Sequence, residues 1–108
     1  MAQVTAIGSA GAINNVGVFN NFTFSPLMNL LSATGSGGTT SYGVENFDST
    51  SAPVIRNSVL AGDTDGMRLN GSTNSQLINT QVSGGIDAAP AGTQCRNAFN
   101  GAFAAIAC

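Results

Sequence analysis

An all-β solenoid, a parallel β-helix of about four turns closed by a C-terminal cap, is the fold class this sequence predicts. Three observations predict it. The segment IRNSVLAG, Ile55 to Gly62, is echoed 22 residues on by LINTQVSG, with Ile55 answered by Leu77, Asn57 by Asn79, Leu60 by Val82 and Gly62 by Gly84. Self-similarity at a short fixed period marks a solenoid. The N-terminal half repeats at a slightly longer period. VTAIGSAGAINNVGVFN, from Val4, aligns with LLSATGSGGTTSYGVEN, matching Gly8 to Gly35, Ser9 to Ser36, Gly11 to Gly38 and, after a one-residue slip, Gly17-Val18 to Gly43-Val44. Composition is the third observation. Gly, Asn, Ser, Thr and Ala dominate, and charged residues are 7% against a usual ~25%. That mixture suits short strands between turns and not the Ala, Leu, Glu and Lys runs of a helical bundle.

Taken in order, the elements form one domain, residues 1–108, with turns at about 4–27, 28–54, 55–76 and 77–94 and a cap over 95–108. The connectors agree: FSPLM and SAPVI both place a Pro two residues before an apolar residue. No 3.6-residue periodicity appears. Successive side chains of a strand point to opposite faces, so like positions should stack in columns. Met28, Ile55 and Leu77 are expected in one inner column. Val18, Val44 and Met67 are expected in a second, and Leu31, Leu60 and Val82 in a third. Asn57 over Asn79 is expected to form an amide ladder, broken in the first half where Leu30 takes the matching slot. Phe19, Glu45 and Arg68 are expected in an outer column, with Glu45 and Arg68 an exposed ion pair worth about 0.2–1 kcal/mol.

Charge excludes two classes of partner. The net charge is -2, His and Lys are absent, and the only basic residues are Arg56, Arg68 and Arg96. Nucleic-acid binding needs a cationic stripe, and a polybasic membrane anchor needs a basic cluster. No apolar run approaches the ~20 residues of a membrane helix. The N-terminal residues lack the cationic and apolar regions of a signal peptide, so export is either not encoded here or encoded on a longer parent. The two cysteines, Cys95 and Cys108, are too few for a metal site. A disulfide between them, closing a roughly 14-residue loop worth about 3 kcal/mol, is the favoured reading; two free thiols are the other.

Candidate chemistry is sparse. In GDTDG, Asp63 and Asp65 can offer carboxylate oxygens to Ca²⁺, which wants six to eight ligands; an Asx-turn is the competing reading. Glu45, Asp48, Arg56, Asp63, Asp65 and Arg68 are the only candidates for acid–base work in the repeats, and no pair can be placed in a cleft as such work requires. No catalytic site and no cofactor are expected. Phe19, Phe22, Phe24, Tyr42 and Phe47 recur near corresponding turns, either as a glycan platform or as covers over the core. Thr39-Thr40 has no counterpart elsewhere, so a regular Thr array is absent. NFT at Asn21 and NGS at Asn70 match glycosylation sequons.

VTAIGSAG with NNVGVFN, LSATGSGG with SYGVEN, APVIRNS, and the tail CRNAFNGAFAAIAC together resemble the C-terminal repeats of secreted bacterial right-handed parallel β-helix proteins of the pectate-lyase-like superfamily. The likeness covers nearly the whole chain. Departures are Val16 at a usual Tyr, Leu30 at a usual Asn, and Phe99-Asn100 where Tyr-Asp would follow the cysteine. The resemblance implies a right-handed coil, a cap ending in a second cysteine, and an extracellular or cell-surface setting. Its motifs are structural and point to no activity. Val4 already reads as a repeat residue, with no capping helix before it, and solenoid ends expose strand edges and open core. Self-association through Val4, Ile7, Val16 and Val18 of the first turn, or a dimer or trimer through a sheet face, is therefore expected; a truncated fragment with a frayed first turn is the other reading. The expected role is a non-catalytic structural or self-assembling module. Carbohydrate binding is the alternative, and a polysaccharide lyase or hydrolase comes after it.

Overall fold

Runs of three to eight residues in which every second side chain is apolar or small, punctuated by Gly, Asn and Ser, give strands and nothing else. The computed structural model describes residues 3–21, 26–47, 52–70, 75–87 and 94–106, and no helix occurs among them. The strands are β1 (Val4–Gly8), β2 (Asn14–Asn21), β3 (Leu27–Asn29), β4 (Leu31–Gly35), β5 (Thr40–Phe47), β6 (Val54–Arg56), β7 (Val59–Gly62), β8 (Asp65–Asn70), β9 (Gln76–Ile78), β10 (Gln81–Ser83), β11 (Ile86–Asp87), β12 (Gln94–Arg96) and β13 (Phe99–Asn100). They form three sheets: β1-β4-β7-β10-β13, β2-β5-β8-β11 and β3-β6-β9-β12. All strand pairs are parallel. The chain thus visits the first, second and third sheet in rotation and returns to each one strand further along, an all-β arrangement compatible with a β-solenoid.

Register stacks like on like. Met28 aligns with Ile55, Leu77 and Cys95. Val18 aligns with Val44, Met67 and Ile86. The third column differs from expectation. Leu60 and Val82 align with Ala33 and Ala6, while Leu31 aligns with Val4. The reason is spacing: five residues separate Ile55 from Leu60 and Leu77 from Val82, and five from Met28 lead to Ala33. Leu31 sits in the slot of Ser58 instead, and its N–H donates to the Ser58 hydroxyl at 3.1 Å. Side chains from all three sheets meet in one core that includes Ile55, Leu60, Met67, Leu69, Leu77 and Val82. Each such burial contributes about 1.5–3 kcal/mol.

At the corner between the first and second sheets the backbones pack closely. Gly8, Gly35 and Gly62 stack on one side of it, and Gly17, Gly43 and Gly66 on the other. A Cβ on Gly35 would sit 2.2 Å from the Tyr42 carbonyl oxygen, and one on Gly43 2.6 Å from that of Gly66. No side chain fits such a gap, which is why glycine recurs at both periods.

The opposite corner carries the amide ladder, and it runs further than expected. Asn97 donates to Asn79 (3.2 Å), Asn79 to Asn57 (3.2 Å) and Asn57 to Asn29 (2.9 Å). Leu30 does occupy the slot of Asn57, and both have positive φ, 55° and 49°. The ladder is nonetheless unbroken, because Asn29, one residue earlier, supplies the acceptor oxygen. The left-handed conformation that Asn tolerates well is thus imposed on a leucine in the first circuit.

The expected exposed ion pair is partly covered. Arg68 Nη1 lies 3.3 Å from Glu45 Oε1, but Glu45 is buried, and the guanidinium sits 5.2 Å from the centre of the Tyr42 ring. Within 95–108, Gln94–Arg96 continues the third sheet as β12. The chain reverses only after Asn100, with Ala105 bridging antiparallel to Phe99.

Candidate functional site

Backbone accounting separates the two ends of the stack. In a strand, the N–H and C=O of one residue point to the same side, and the next residue's point to the other. Val4 N–H donates to Leu30 C=O, and Ser36 N–H to Gly8 C=O. Val4, Ala6 and Gly8 therefore face β4, and Thr5 and Ile7 face the open edge. At the far end, Phe99 N–H donates to Thr80 C=O, so Ala98 and Asn100 face away from β10. Both are filled: Ile106 N–H donates to Ala98 C=O at 2.8 Å, and Asn100 N–H to Ala104 C=O at 2.8 Å. Asn100 Oδ1 also accepts from Ala102 and Ala104 N–H, pinning the reversal. Among the described residues β11 and β12, at the far ends of the second and third sheets, each pair with one strand only, and so do β1, β2 and β3.

The apolar interior opens at that same end. Val4, Val18, Leu27, Met28, Asn29 and Leu31 line a hollow of about 260 Å³. Val4 is 54% exposed and Leu27 66%. Of the residues expected to mediate self-association, Val4 and Val18 therefore meet at the hollow. Ile7 instead points outward from the first sheet, 69% exposed, and Val16 stands in register with Tyr42 on the second sheet, outside the hollow. Met28, expected in an inner column, reaches the hollow, and Leu27 joins it. The signal for them is the connector FSPLM, which ends in two adjacent apolar residues.

Other surfaces offer less. On the second sheet, Phe19 and Phe47 are exposed with ring centroids 6.4 Å apart; Tyr42 is buried, so its ring is closed to a sugar. Phe22, Phe24 and Asp48 lie outside the described residues. On the third sheet, Arg56, Ile78 and Arg96 align beside Gln76 and Gln94 in a polar hollow of about 390 Å³. Along the amide ladder runs a concave corner of about 520 Å³ that reaches Phe99 and Phe103.

GDTDG serves as a staple between circuits. Asp63 Oδ2 accepts from Gly37 N–H at 2.9 Å, and Thr64 Oγ1 accepts from Ser41 N–H at 2.9 Å. The Asp63 carboxylate thus bonds a neighbouring circuit. Among the described residues, no group of three or more His, Cys, Asp or Glu stands together. Cys95 is disulfide-bonded. Cys108, the chain's other cysteine, lies outside the described residues.

No protein-family model, no curated protein and no solved structure matches the chain.

Proposed function

We propose that the chain is a right-handed parallel β-helix module of a secreted or cell-surface protein, akin to the repeats of the pectate-lyase-like superfamily, and that its role is structural and self-assembling and not catalytic. The observation that carries this reading is the asymmetry of the ends: in the first sheet the last strand is sealed by its own chain's backbone, while β1, β2 and β3 stand as edges around an open apolar hollow. Right-handedness follows from the general preference of parallel crossovers, which are right-handed in nearly all cases. The non-catalytic reading draws support from the use of the acidic groups: Glu45 is held by Arg68 and Asp63 by the Gly37 N–H. Light scattering after size exclusion, with and without reductant, tests it. A defined multiple of the 10.8 kDa chain is expected, and a monomer at high micromolar concentration would contradict self-assembly.

Carbohydrate binding is the second reading. The exposed Phe19–Phe47 pair favours it, as does the corner where amides meet Phe99 and Phe103. Reproducible binding of one polysaccharide on a glycan array, abolished by Phe19→Ala or Phe103→Ala, would promote it over the first.

A further inference from the structure

From the same open end, and resting on the self-assembly reading, we infer that the assembly is a closed two-fold dimer joined N-terminal end to N-terminal end, with the occupant of the hollow being a second copy of this chain. Three observations carry it. The edge strands lack the charged side chains, proline and inward-pointing charge that discourage edge pairing: β1 reads VTAIG, β2 NNVGVFNN and β3 LMN. The first 44 residues of the chain contain no Asp, Glu, Lys or Arg. Two copies of this end therefore meet without like-charge repulsion, which a self-complementary two-fold interface requires.

The third observation weighs against the head-to-tail alternative, in the first sheet. An open filament needs the first circuit of one copy to pair with the last circuit of the next. In the first sheet, the outward groups of Ala98 and Asn100 are already bonded to Ile106 and Ala104. β1 therefore finds no open counterpart at the far end of its own sheet, whereas β1 of a second copy offers the same open edge. Around a two-fold axis, β1 pairs antiparallel with β1 of the partner, using the N–H and C=O of Thr5 and Ile7, while Val4 and Leu27 close over the two hollows.

Sedimentation velocity on the whole chain, over low to high micromolar concentration, tests this with two variants. Ile7→Pro removes one outward N–H and leaves every β1–β4 bond intact, because the Ile7 N–H does not face β4. Leu27→Glu places a charge at the mouth of the hollow on a side chain whose exposure means that folding does not need it. Twice the chain mass for the wild type is expected, with at least a tenfold weakening in each variant and unchanged circular dichroism. A trimer, a mass that grows without limit, or a dimer indifferent to both variants would overturn the two-fold inference and leave self-assembly standing. A wild-type monomer would overturn both.

Discussion

At the C-terminal end, the carbonyl of Ala98 and the N–H of Asn100 face away from the stack and are filled by a hairpin from the same chain. At the N-terminal end, the corresponding groups of Thr5 and Ile7 face outward from an edge strand that carries no charge and no proline. The core behaves in parallel. Leu77 and Val82, near the far end, are fully buried, whereas Val4 is more than half exposed and Met28, in the column of Leu77, is only partly buried. The same repeat therefore gives a finished end and an unfinished one, and the difference lies in a handful of residues. A parallel stack of repeats propagates wherever neighbours exist, so what distinguishes its ends is how the last edge is satisfied.

The largest effect should come from the glycine seam, which also grades the stack from interior to end. Gly43→Ala would place a Cβ 2.6–2.9 Å from the Gly66 oxygen, the Ala61 nitrogen and the Ala33 oxygen, all backbone. We expect a loss of about 3 kcal/mol, at the upper end for overpacking, read from the urea midpoint. Gly17→Ala, in the first circuit with similar contacts, should cost clearly less, because an edge strand can shift outward. Equal losses would mean that the first circuit is as constrained as the interior.

Next comes the seal itself. Asn100→Ala removes the acceptor that holds the Ala102 and Ala104 N–H groups, and about 1–3 kcal/mol should go with it, at a net ~0.5–1.5 for each hydrogen bond. Melting should show that loss, and light scattering should show new higher-order association as the second end opens. Arg68→Met tests the side wall. It leaves the Glu45 carboxylate covered without its cation, and we expect about 1–2 kcal/mol of destabilisation at neutral pH, more than Glu45→Gln in the same assay. The smallest effect should be a gain. Leu30 holds φ 55° where the later circuits place Asn57, Asn79 and Asn97; Leu30→Asn should raise stability by about 0.5–1 kcal/mol, since a bulky residue in that region costs roughly 1–2. The rise should be visible in the thermal midpoint.

Much of this architecture was legible from the repeats. The alignments of Gly8 with Gly35 and of Val18 with Val44 and Met67 reappear as strand register, because a parallel stack obliges equivalent residues to neighbour each other. Leu31 was misplaced because chemical likeness to Leu60 was followed in preference to the five-residue spacing that the chain itself keeps. The ladder was judged broken at Leu30 because a ladder looks like a same-slot property, yet an amide one residue away can reach the same oxygen position. Alternation puts Glu45 on an outer face but does not report what lies over it, here Arg68 and its approach to Tyr42. As for the candidate site, an open N-terminal end could be read from Val4 onward. That Leu27 and Met28, and not Ile7 and Val16, line the hollow depends on which faces the corners turn inward, and residue identity alone does not record that.

Residue-resolved amide hydrogen exchange at two protein concentrations tests the contrast of ends most directly. At the lower concentration, Val4, Ala6 and Gly8 should be protected while Thr5 and Ile7 exchange freely, and Asn100 and Ile106 should be protected throughout. At the higher concentration, Thr5 and Ile7 should gain protection as their edge finds a partner. Uniformly fast exchange across residues 4–8, or protection of Thr5 and Ile7 that does not change with concentration, would contradict the account.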